Sequence, residues 1–367
     1  MSILPDSVQI REGATSLLIP QVHSEKGPGK RMGQVFFNEQ MAFNRDVSVM
    51  FTRASGFQGK RLLDAMAGTG ARGIRIANEA TRGSEVVIND KDPRTTGYIR
   101  ANIELNHLEN GRASNLDLRC LLATEVFDYI DLDPFGSPVP FVQATFQGLK
   151  RNGTVAITAT DTAPLAGTHA KKCLRRYMAR PSRSPFGHET GLRILIGYLA
   201  REAAQLDKGV RPQLCFYADH YFRCYLRVKE NAAAADEALG HLGFMDLDEK
   251  SRERSLSADA EKGKIGPLWI GSLFDHDLLD RMEVGDDLQH PIRCAKYLGL
   301  WKQELDVPYF YENNELSSLL KISPPVLDRV VAELSARGRA SKTHFSPSGF
   351  KTDVPFEDVL QTYRDMA

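Results

Sequence analysis

An alternation of strand-like and helix-like segments between about Lys60 and Arg227 is the feature that most constrains the fold of this chain. Apolar runs typical of buried strands, such as RLLDAM, SEVVIND, DYIDLD and GTVAITAT, are separated by segments with helical character, such as ARGIRIANEA and PRTTGYIRANIELN. Strands that alternate with helices build a parallel sheet that is covered by helices on both faces. The sequence therefore predicts an α/β fold for this part of the chain.

The length of the chain favours more than one domain. Its 367 residues exceed the usual size of a single domain. After Val228, NAAAADEALGHLG predicts a small helix and DEKSRERSLSADAEKGK predicts a charged, mobile connector. Near the end, PPVLDRVVAELSARG predicts a helix and RASKTHFSPSGFKT a two-stranded wing. We therefore predict one domain over residues 1–272, which begins with a lead-in segment, and a smaller α+β domain over residues 273–367.

Charge, hydropathy and cysteine content exclude several classes of protein. The formal net charge is zero, so any charged partner must be recognised by local patches. No window approaches the roughly 18 uninterrupted apolar residues of a membrane-spanning helix, and the first residues resemble neither a signal peptide nor a transit peptide. The five cysteines match no zinc-binding or disulfide spacing. We expect a cytoplasmic protein without a metal site or a membrane contact.

The segment LLDAMAGTGARGIRI has the pattern of a strand, a glycine loop and a helix. Gly68, Gly70 and Gly73 satisfy the G-x-G-x-x-G spacing, in which glycines let the backbone turn tightly and approach a ligand at the start of a helix. By itself this motif fits nicotinamide, flavin and other cofactors. The choice among these cofactors therefore depends on the residues around the loop.

Acidic residues near the ends of the predicted strands favour S-adenosylmethionine. Asp64 ends the strand before the loop, where a carboxylate repels a pyrophosphate but attracts the amino group of S-adenosylmethionine. Asp90 ends the next strand, where an acid can bind ribose hydroxyls, and Asp117 precedes a later strand within reach of the adenine. The residues leave open a dinucleotide, a Rossmann-like fold without a cofactor, and a helix-capping role for Asp90.

Asp133 ends the predicted strand DYIDLD and is followed by Pro134 and Phe135. A carboxylate at the end of a buried strand is unfavourable unless a partner or a ligand binds it. An Asp-Pro-aromatic sequence suits methyl transfer to an exocyclic amine, because the carboxylate accepts the amine N–H while the aromatic ring stacks on the base. The alternative for Asp133 is a turn-capping acid, and for Asp131 we favour a structural role.

Two basic segments are candidates for contact with nucleic acid. The run AKKCLRRYMARPSRSPFGHE contains no acid before Glu189, and the predicted C-terminal wing places basic residues around Phe345. Such patches bind phosphates, although each is also compatible with an ordinary solvated surface. The selected residues are Lys171, Lys172, Arg175, Arg176 and Arg180 in the run, and Lys342, His344 and Lys351 in the wing.

The lead-in segment VFFNEQMAFNRD holds two further candidates. Phe36 is placed to stack on a base from the side opposite Phe135. Arg45 is a candidate to pair with the carboxylate of the cofactor, since a bidentate guanidinium suits that group. Arg72, just after the glycine loop, is a similar candidate.

Eight segments, in order along nearly the whole chain, resemble one family. They are VFFNEQMAFNRD, LDAMAGTGARGIR, IDLDPFGSP, ITATDTAPLAGTH, FGHETGLRILIG, DHYFRCYLRVK, GPLWIGSL and THFSPSGFKT. The chain is similar in them to the tRNA (guanine(26)-N(2))-dimethyltransferases, particularly the archaeal type. The resemblance implies a class I S-adenosylmethionine-dependent methyltransferase (Rossmann-like) domain followed by a family-specific, tRNA-contacting C-terminal domain. It implies transfer of two methyl groups, one after the other, to the exocyclic N2 of guanine 26.

Carried over residue by residue, the resemblance implies that Asp133 is the catalytic acid and that Phe36 and Phe135 hold the guanine between them. The cofactor-binding residues, from the resemblance and from the glycine loop together, are Arg45, Asp64, Gly68, Gly70, Arg72, Asp90, Asp117 and Leu118. The chain departs from the family at Glu39, which follows Asn38 where relatives often have proline. The stretch in which many relatives carry a zinc module has no cysteine here, so we expect no structural zinc.

Two other functions stay open at this point. An adenine- or cytosine-amino methyltransferase that acts on DNA uses a similar Asp-Pro-aromatic arrangement, but tends to have tyrosine or tryptophan in place of Phe135. A tRNA-binding chaperone with a vestigial cofactor site is the other, although the intact acids and glycine loop argue against it. We expect tRNA as the partner, with no DNA, no membrane and no obligatory protein partner.

Overall fold

The structure is a computed structural model that describes residues 6–24, 35–259 and 264–367. Its first two strands, β1 (Ser7–Glu12) and β2 (Thr15–Pro20), form an antiparallel pair. The first helix, α1 (Ala42–Ser55), ends at Gly56, whose φ of +63° is left-handed. Glycine adopts this conformation without strain, and it stops the helix before the first strand of the main sheet.

Seven strands form the largest sheet. In chain order they are β3 (Arg61–Asp64), β4 (Glu85–Asn89), β5 (Gly111–Ser114), β6 (Phe127–Leu132), β7 (Leu149–Ala159), β8 (Lys208–Ala218) and β9 (Tyr221–Glu230). Across the sheet the order is β5-β4-β3-β6-β7-β9-β8, and the pairs from β5 to β7 are parallel. The strand order reverses direction between β3 and β6, and in open α/β sheets a ligand binds at the carboxyl ends of the strands at such a switch point.

Helices connect these strands, as the alternating pattern predicts. They are α2 (Ala71–Arg75), α3 (Pro93–Leu105), α4 (Leu118–Thr124), α5 (Val142–Gln147), α6 (Thr162–Leu165), α7 (Ala170–Tyr177) and α8 (Gly187–Ala204). A further helix, α9 (Ala232–Gly240), follows the sheet in the chain. The predicted helix ARGIRIANEA is present, but its second half, Ile76–Ala80, is π-helical. Asp92 caps α3 by accepting a hydrogen bond from Arg94 N–H, with Pro93 in the first turn, an arrangement that favours helix initiation.

The rest of the chain adds two small sheets and five helices to the described structure. The sheets are β11-β10-β12, made of β10 (Leu242–Leu247), β11 (Arg254–Ser257) and β12 (Ile265–Trp269), and β13-β15-β14, made of β13 (Tyr311–Glu312), β14 (Ala340–Lys342) and β15 (Gly349–Thr352). The helices are α10 (His276–Arg281), α11 (Pro291–Gln303), α12 (Asn313–Leu320), α13 (Leu327–Ser335) and α14 (Phe356–Asp365). The predicted two-stranded wing is present as β14 and β15, with β13 as a third strand.

The prediction of a mobile connector in DEKSRERSLSADAEKGK is wrong for the residues that form β11, and residues 260–263 of that segment lie outside the described part of the chain. The Arg254 side chain explains the order, because it is buried and ion-paired with Glu315. Its guanidinium also lies 4.2 Å from the centre of the Phe186 ring and 4.4 Å from that of Tyr311. A charged segment is thus held in place by a buried cation–π and ion-pair contact.

Contacts divide the chain into two units. The first unit contains residues 1–160, 225–230 and 276–298, and the second contains residues 161–224, 231–275 and 299–367. The predicted division into residues 1–272 and 273–367 stays a prediction. Among the helices that the structure describes, we find none with the length and apolar character needed to span a membrane.

Two residues predicted to bind tRNA, His344 and Lys351, lie inside the second unit. Glu304 accepts a hydrogen bond from His344 Nδ1 at 2.7 Å and lies 3.0 Å from Lys351 Nζ. Lys351 also binds Glu189 at 2.8 Å and is 1% exposed. Side chains that are buried and ion-paired are not available to a phosphate backbone. The structure therefore removes both residues from the predicted interface and assigns them to the core.

We predict that Glu304→Gln destabilises the protein at neutral pH by about 3 kcal/mol, because it leaves buried positive charge without its partner. Burial raises the pKa of Glu304, but the charges of His344 and Lys351 outweigh this effect and hold the pKa well below its usual range. The stabilisation is therefore complete above the ordinary glutamate pKa and is lost as the pH falls below it. Thermal unfolding of both proteins between pH 3 and 8 tests this, and an equal difference at every pH would contradict it.

Candidate active site at the carboxyl edge of the sheet

The glycine loop runs from the end of β3 to the start of α2. Gly68 and Gly70 have φ of +54° and +84°, in the left-handed region that suits glycine. Gly73 lies in α2, where a Cβ would come within 2.7 Å of the Ile88 side chain and 3.1 Å of the Asp64 side chain. The glycines therefore shape the turn and let α2 pack closely against β3 and β4.

Asp64, the last residue of β3, faces the start of α2. Its carboxylate accepts a hydrogen bond from the Gly73 N–H at 2.8 Å. Burial, together with the neighbouring carboxylate of Asp131, raises the pKa of Asp64 to about 7 against the opposing charge of Arg72. Near neutral pH both protonation states are populated, so Asp64 is able to donate or to accept a hydrogen bond.

Two other acids predicted for the cofactor follow neighbouring elements of the sheet. Asp90, directly after β4, accepts a hydrogen bond from the Gly68 N–H at 2.9 Å. Asp117 is the N-cap of α4 and accepts a hydrogen bond from the Arg119 N–H at 3.0 Å. Hydrogen bonds from the Arg119 side chain and backbone lower the pKa of Asp117. Leu118, the next residue, is buried and forms an apolar neighbour to these acids.

Arg45 is paired with Glu12, which the sequence analysis did not select. Arg45 Nε and Nη2 each donate to the Glu12 carboxylate at 2.6 Å, and Nη2 also donates to the Asn38 carbonyl at 3.0 Å. The guanidinium lies 5.0 Å from the centre of the Phe37 ring. Among the residues that the structure describes, Arg45 Nη1 has no hydrogen-bond partner. Glu12 is 33 residues from Arg45 in the chain, and no local signal links the two.

Asp133 directly follows β6, at the switch point of the sheet. Arg72 of α2 binds one oxygen of its carboxylate through Nη2. The described part of the chain offers no other hydrogen bond to this carboxylate, so its second oxygen is without a protein partner. The side chain is 20% exposed, and therefore a ligand is able to reach that oxygen.

The turn after Asp133 carries the predicted stacking residue. Gly136 has a φ of +78°, and its N–H donates to Thr160 Oγ1 at 2.8 Å while its carbonyl accepts from the Thr160 N–H at 2.9 Å. Phe135 is 63% exposed. Its ring meets Phe36 edge to face, with centroids 4.6 Å apart and planes at 79°. The two bonds with Thr160 hold the turn, and Phe135 extends from it towards Phe36.

The predicted cofactor and base-binding residues, apart from Gly70, line one cavity of about 450 Å³. They are Phe36, Arg45, Asp64, Gly68, Arg72, Asp90, Asp117, Leu118, Asp133 and Phe135. The wall also contains apolar residues that the sequence analysis did not select, such as Met66, Leu116 and Phe141. This volume is typical of a cofactor or small-molecule site, and the mixture of acids and apolar residues suits a ligand with an amine, hydroxyls and an aromatic ring.

The hydrogen bonds of the glycine loop decide which kind of cofactor fits. Backbone N–H groups at such a loop normally bind phosphates, but here Asp90 occupies the Gly68 N–H and Asp64 occupies the Gly73 N–H. A pyrophosphate would meet two carboxylates in place of free donors. S-adenosylmethionine carries no phosphate, and its ribose hydroxyls and ammonium group are donors that carboxylates accept. The residues present therefore fit S-adenosylmethionine.

The basic candidates other than His344 and Lys351 lie at the surface of the second unit. Lys171, Arg175 and Arg180 are exposed, while Lys172 and Arg176 are partly exposed. Arg176 Nη1 is bound to Asp161 at 2.7 Å. Lys342 is exposed and ion-paired with Asp328. The structure thus groups the residues of α7 as a cationic surface, and Lys342 belongs to the separate wing.

The seven-stranded α/β sheet, with a cavity at its switch point where carboxylates accept the N–H groups of the glycine loop, is the fold and site of a class I S-adenosylmethionine-dependent methyltransferase. Comparison with known proteins gives the family within this class. The model of the N2,N2-dimethylguanosine tRNA methyltransferase family matches residues 14–364. The chain belongs to this family.

Individual relatives agree over almost the whole chain. The tRNA (guanine(26)-N(2))-dimethyltransferase of Thermococcus kodakarensis is 39% identical, with 98% of this chain and 99% of the relative covered. That of Saccharolobus solfataricus is 36% identical with the same coverage of 98% and 99%. The structure of Trm1 from Pyrococcus horikoshii in complex with S-adenosyl-L-methionine matches with a TM-score of 0.89 and 34% identity, over 97% of this chain and 99% of that one. The predicted family, fold class, enzyme class and cofactor are confirmed.

We predict that Asp90→Ala raises the dissociation constant of S-adenosylmethionine about 10- to 100-fold, since a hydrogen bond to a charged group contributes roughly 1.5–3 kcal/mol. Isothermal titration calorimetry measures the change. The matched control is Asp128→Ala, which removes a carboxylate that accepts the Arg61 N–H at the amino end of β6, outside the cavity. Equal affinities for the Asp90 variant and the control would refute a cofactor role for Asp90.

Proposed function

We propose that this chain methylates the exocyclic N2 of guanine 26 in tRNA twice in succession, and that Asp133 is the group that binds the amine. The observation that carries the proposal is the Asp133 carboxylate at the switch point, with Arg72 on one oxygen and no described protein partner on the other. The family and the named function of the relatives support guanine 26 of tRNA as the substrate.

The chemistry of the amine requires such a carboxylate. The N2 lone pair of guanine is conjugated with the ring, so the amine is a weak nucleophile. A carboxylate that accepts its N–H bond orients the nitrogen and stabilises the positive charge that develops when the new N–C bond forms. Bound S-adenosylmethionine supplies the methyl group and leaves as S-adenosylhomocysteine. The N2 proton passes to Asp133 and from there to solvent, which the partly exposed side chain contacts.

Phe36 and Phe135 hold the guanine ring between them in this proposal. A base that acts as a substrate has to leave its stack, which takes a few kcal/mol that aromatic stacking offsets. A base can lie between two rings only when these rings are parallel and far enough apart to admit it. The two phenylalanine rings are in edge-to-face contact at 4.6 Å, so they have to separate and reorient when the base enters.

The helix α7 and its flanking residues form the tRNA-binding surface that we propose. Lys171, Lys172, Arg175 and Arg180 are at least partly exposed, and cations at this density bind a phosphate backbone without reading its sequence. Arg176 contributes to the same surface despite its ion pair with Asp161. Lys342 of the wing is a further proposed contact.

The remaining proposals concern partners and location. We place the enzyme in the cytoplasm, because its substrate is tRNA. We assign it no DNA substrate and no obligatory protein partner, since the proposed reaction needs groups from this chain, the cofactor and tRNA alone.

We predict that the protein forms N2,N2-dimethylguanosine in an unmodified tRNA transcript with guanine at position 26 and not in one with adenine there. Nucleoside mass spectrometry after incubation with S-adenosylmethionine measures both products. Monomethylguanosine as the end product would contradict the second transfer, and methylation of duplex DNA in place of tRNA would overturn the substrate.

We predict that Asp133→Ala lowers the single-turnover rate of methyl transfer by about 10²- to 10⁴-fold, the usual contribution of a positioned acid or base. Cofactor affinity should stay within about threefold of the wild type, because Asp133 contacts the amine and not the cofactor. Asp128→Ala, the same substitution at a residue outside the cavity, is again the control. A rate for Asp133→Ala close to that of the control would exclude the assigned role.

We predict that the triple variant K171Q/K172Q/R175Q weakens tRNA binding about 10-fold or more and lowers the slope of log K against log salt by about 2 to 3, since each phosphate contact adds about 0.7–0.9 to that slope. The matched control is K60Q/R82Q/R151Q, which removes three exposed cations at the amino ends of β3, β4 and β7. Filter binding at several salt concentrations measures both. An unchanged slope in the α7 variant would exclude that helix from the interface.

A further inference from the structure

All three nitrogens of the Arg72 side chain contact other protein groups. Nη2 binds Asp133, and Nη1 donates to Asn44 Oδ1 and to Ser48 Oγ, both at 2.6 Å. Nε lies 3.5 Å from Asp131 Oδ1. A guanidinium has five N–H bonds, and this arrangement leaves at most one of them for a ligand. The side chain is 7% exposed, which further limits contact with a cofactor.

The groups that hold Arg72 are themselves fixed. Ser48 Oγ donates to the Asn44 carbonyl at 2.9 Å and lies 3.0 Å from the hydroxyl of Tyr225. Asp131 is 0% exposed, and the Tyr129 hydroxyl donates to it at 2.7 Å. Arg72 is thus held by α1 and β6, and α1 is bound in turn to β9. Its position is determined by buried groups and not by solvent.

Asp133, unlike Arg72, has few contacts with the protein. It follows the last residue of β6, its side chain is partly exposed, and Arg72 is the one hydrogen-bond partner that the described residues offer to its carboxylate. The direction of the free oxygen therefore depends on Arg72. Three carboxylates face this region, those of Asp64 on β3, Asp131 on β6 and Asp133, and Arg72 is the cation that contacts the last two.

We propose that Arg72 is a positioning residue for methyl transfer, which acts through Asp133 by holding one carboxylate oxygen so that the other points at the N2 amine. This role rests on the proposed function of Asp133. It differs from the role in cofactor binding that the family resemblance implies for Arg72. A lysine at this position keeps the charge but cannot contact Asp133, Asp131 and the two α1 side chains at the same time.

The test is a double-mutant cycle with Arg72→Lys, Asp133→Asn and the combination of both. Single-turnover methyl transfer to tRNA at saturating S-adenosylmethionine and the cofactor dissociation constant are measured for each protein. We expect Arg72→Lys to lower the rate about 10²-fold, as a small displacement of a reacting group does, and to change the cofactor dissociation constant less than about threefold. In the Asp133→Asn background, Arg72→Lys should cause no further loss.

Two additional variants separate positioning from a general structural effect. Ser48→Ala removes one acceptor of Arg72 and should lower the rate in the same direction but less, with cofactor binding retained. Arg61→Lys is the control, because Arg61 binds Glu85 and Glu125 at the amino end of β3, outside the cavity, and its rate should equal that of the wild type. Retained cofactor binding shows that each variant is folded.

Two results would overturn the proposal. One is a cofactor dissociation constant that rises for Arg72→Lys while the rate at saturation is unchanged, which is the behaviour of a cofactor ligand. The other is a double variant whose rate is reduced by the product of the two single reductions, which means that Arg72 acts independently of Asp133. Failure of the proposed function has a different signature, since the wild-type protein and Arg61→Lys would then both leave tRNA unmethylated.

Discussion

The active site depends on how the carboxylates at the edge of the sheet are compensated. Parallel strands end at the same edge, and the pairing of Asp64 with Asp131 in adjacent strands brings two buried acids together, with Asp133 two residues further on. Bringing carboxylates this close is unfavourable unless donors and positive charge surround them. The N–H groups of the glycine loop and the guanidinium of Arg72 supply both. The same donors are then not available to phosphates, which links the stability of the site to its choice of cofactor.

The glycine motif shapes the site through the packing of α2 as well as through the turn itself. Because Gly73 has no Cβ, α2 lies against Ile88 and Asp64 at a distance that a larger residue would prevent. Arg72, the residue before it, projects from this closely packed turn and binds Asp133, which directly follows the neighbouring strand β6. The position of α2 therefore determines which groups Arg72 is able to contact. Under the proposal, Arg72 in turn determines the direction of the Asp133 carboxylate.

The parts of this site that follow from sequence are those determined by local pattern. Alternating segments and turn residues predict the parallel sheet, the glycine loop, and acids at strand ends such as Asp90 and Asp133. The pairing of Arg45 with Glu12 joins residues 33 positions apart and leaves no local signal. The sequence does not predict the burial of Lys351, because a basic residue on a short strand is typical of an exposed surface, whereas all four residues of β15 are buried. Burial there comes from the packing of other elements around the strand, which periodicity does not describe.

In the role proposed for Asp133, a single free carboxylate oxygen also accounts for a reaction that runs twice and then stops. Guanine N2 carries two hydrogens before the first transfer and one before the second, so Asp133 has an N–H to accept in both rounds. After the second transfer no N–H is left, and a third methyl group would leave a permanent positive charge on nitrogen that no proton loss removes. With Arg72 on one oxygen, both substrates offer Asp133 the same single hydrogen bond.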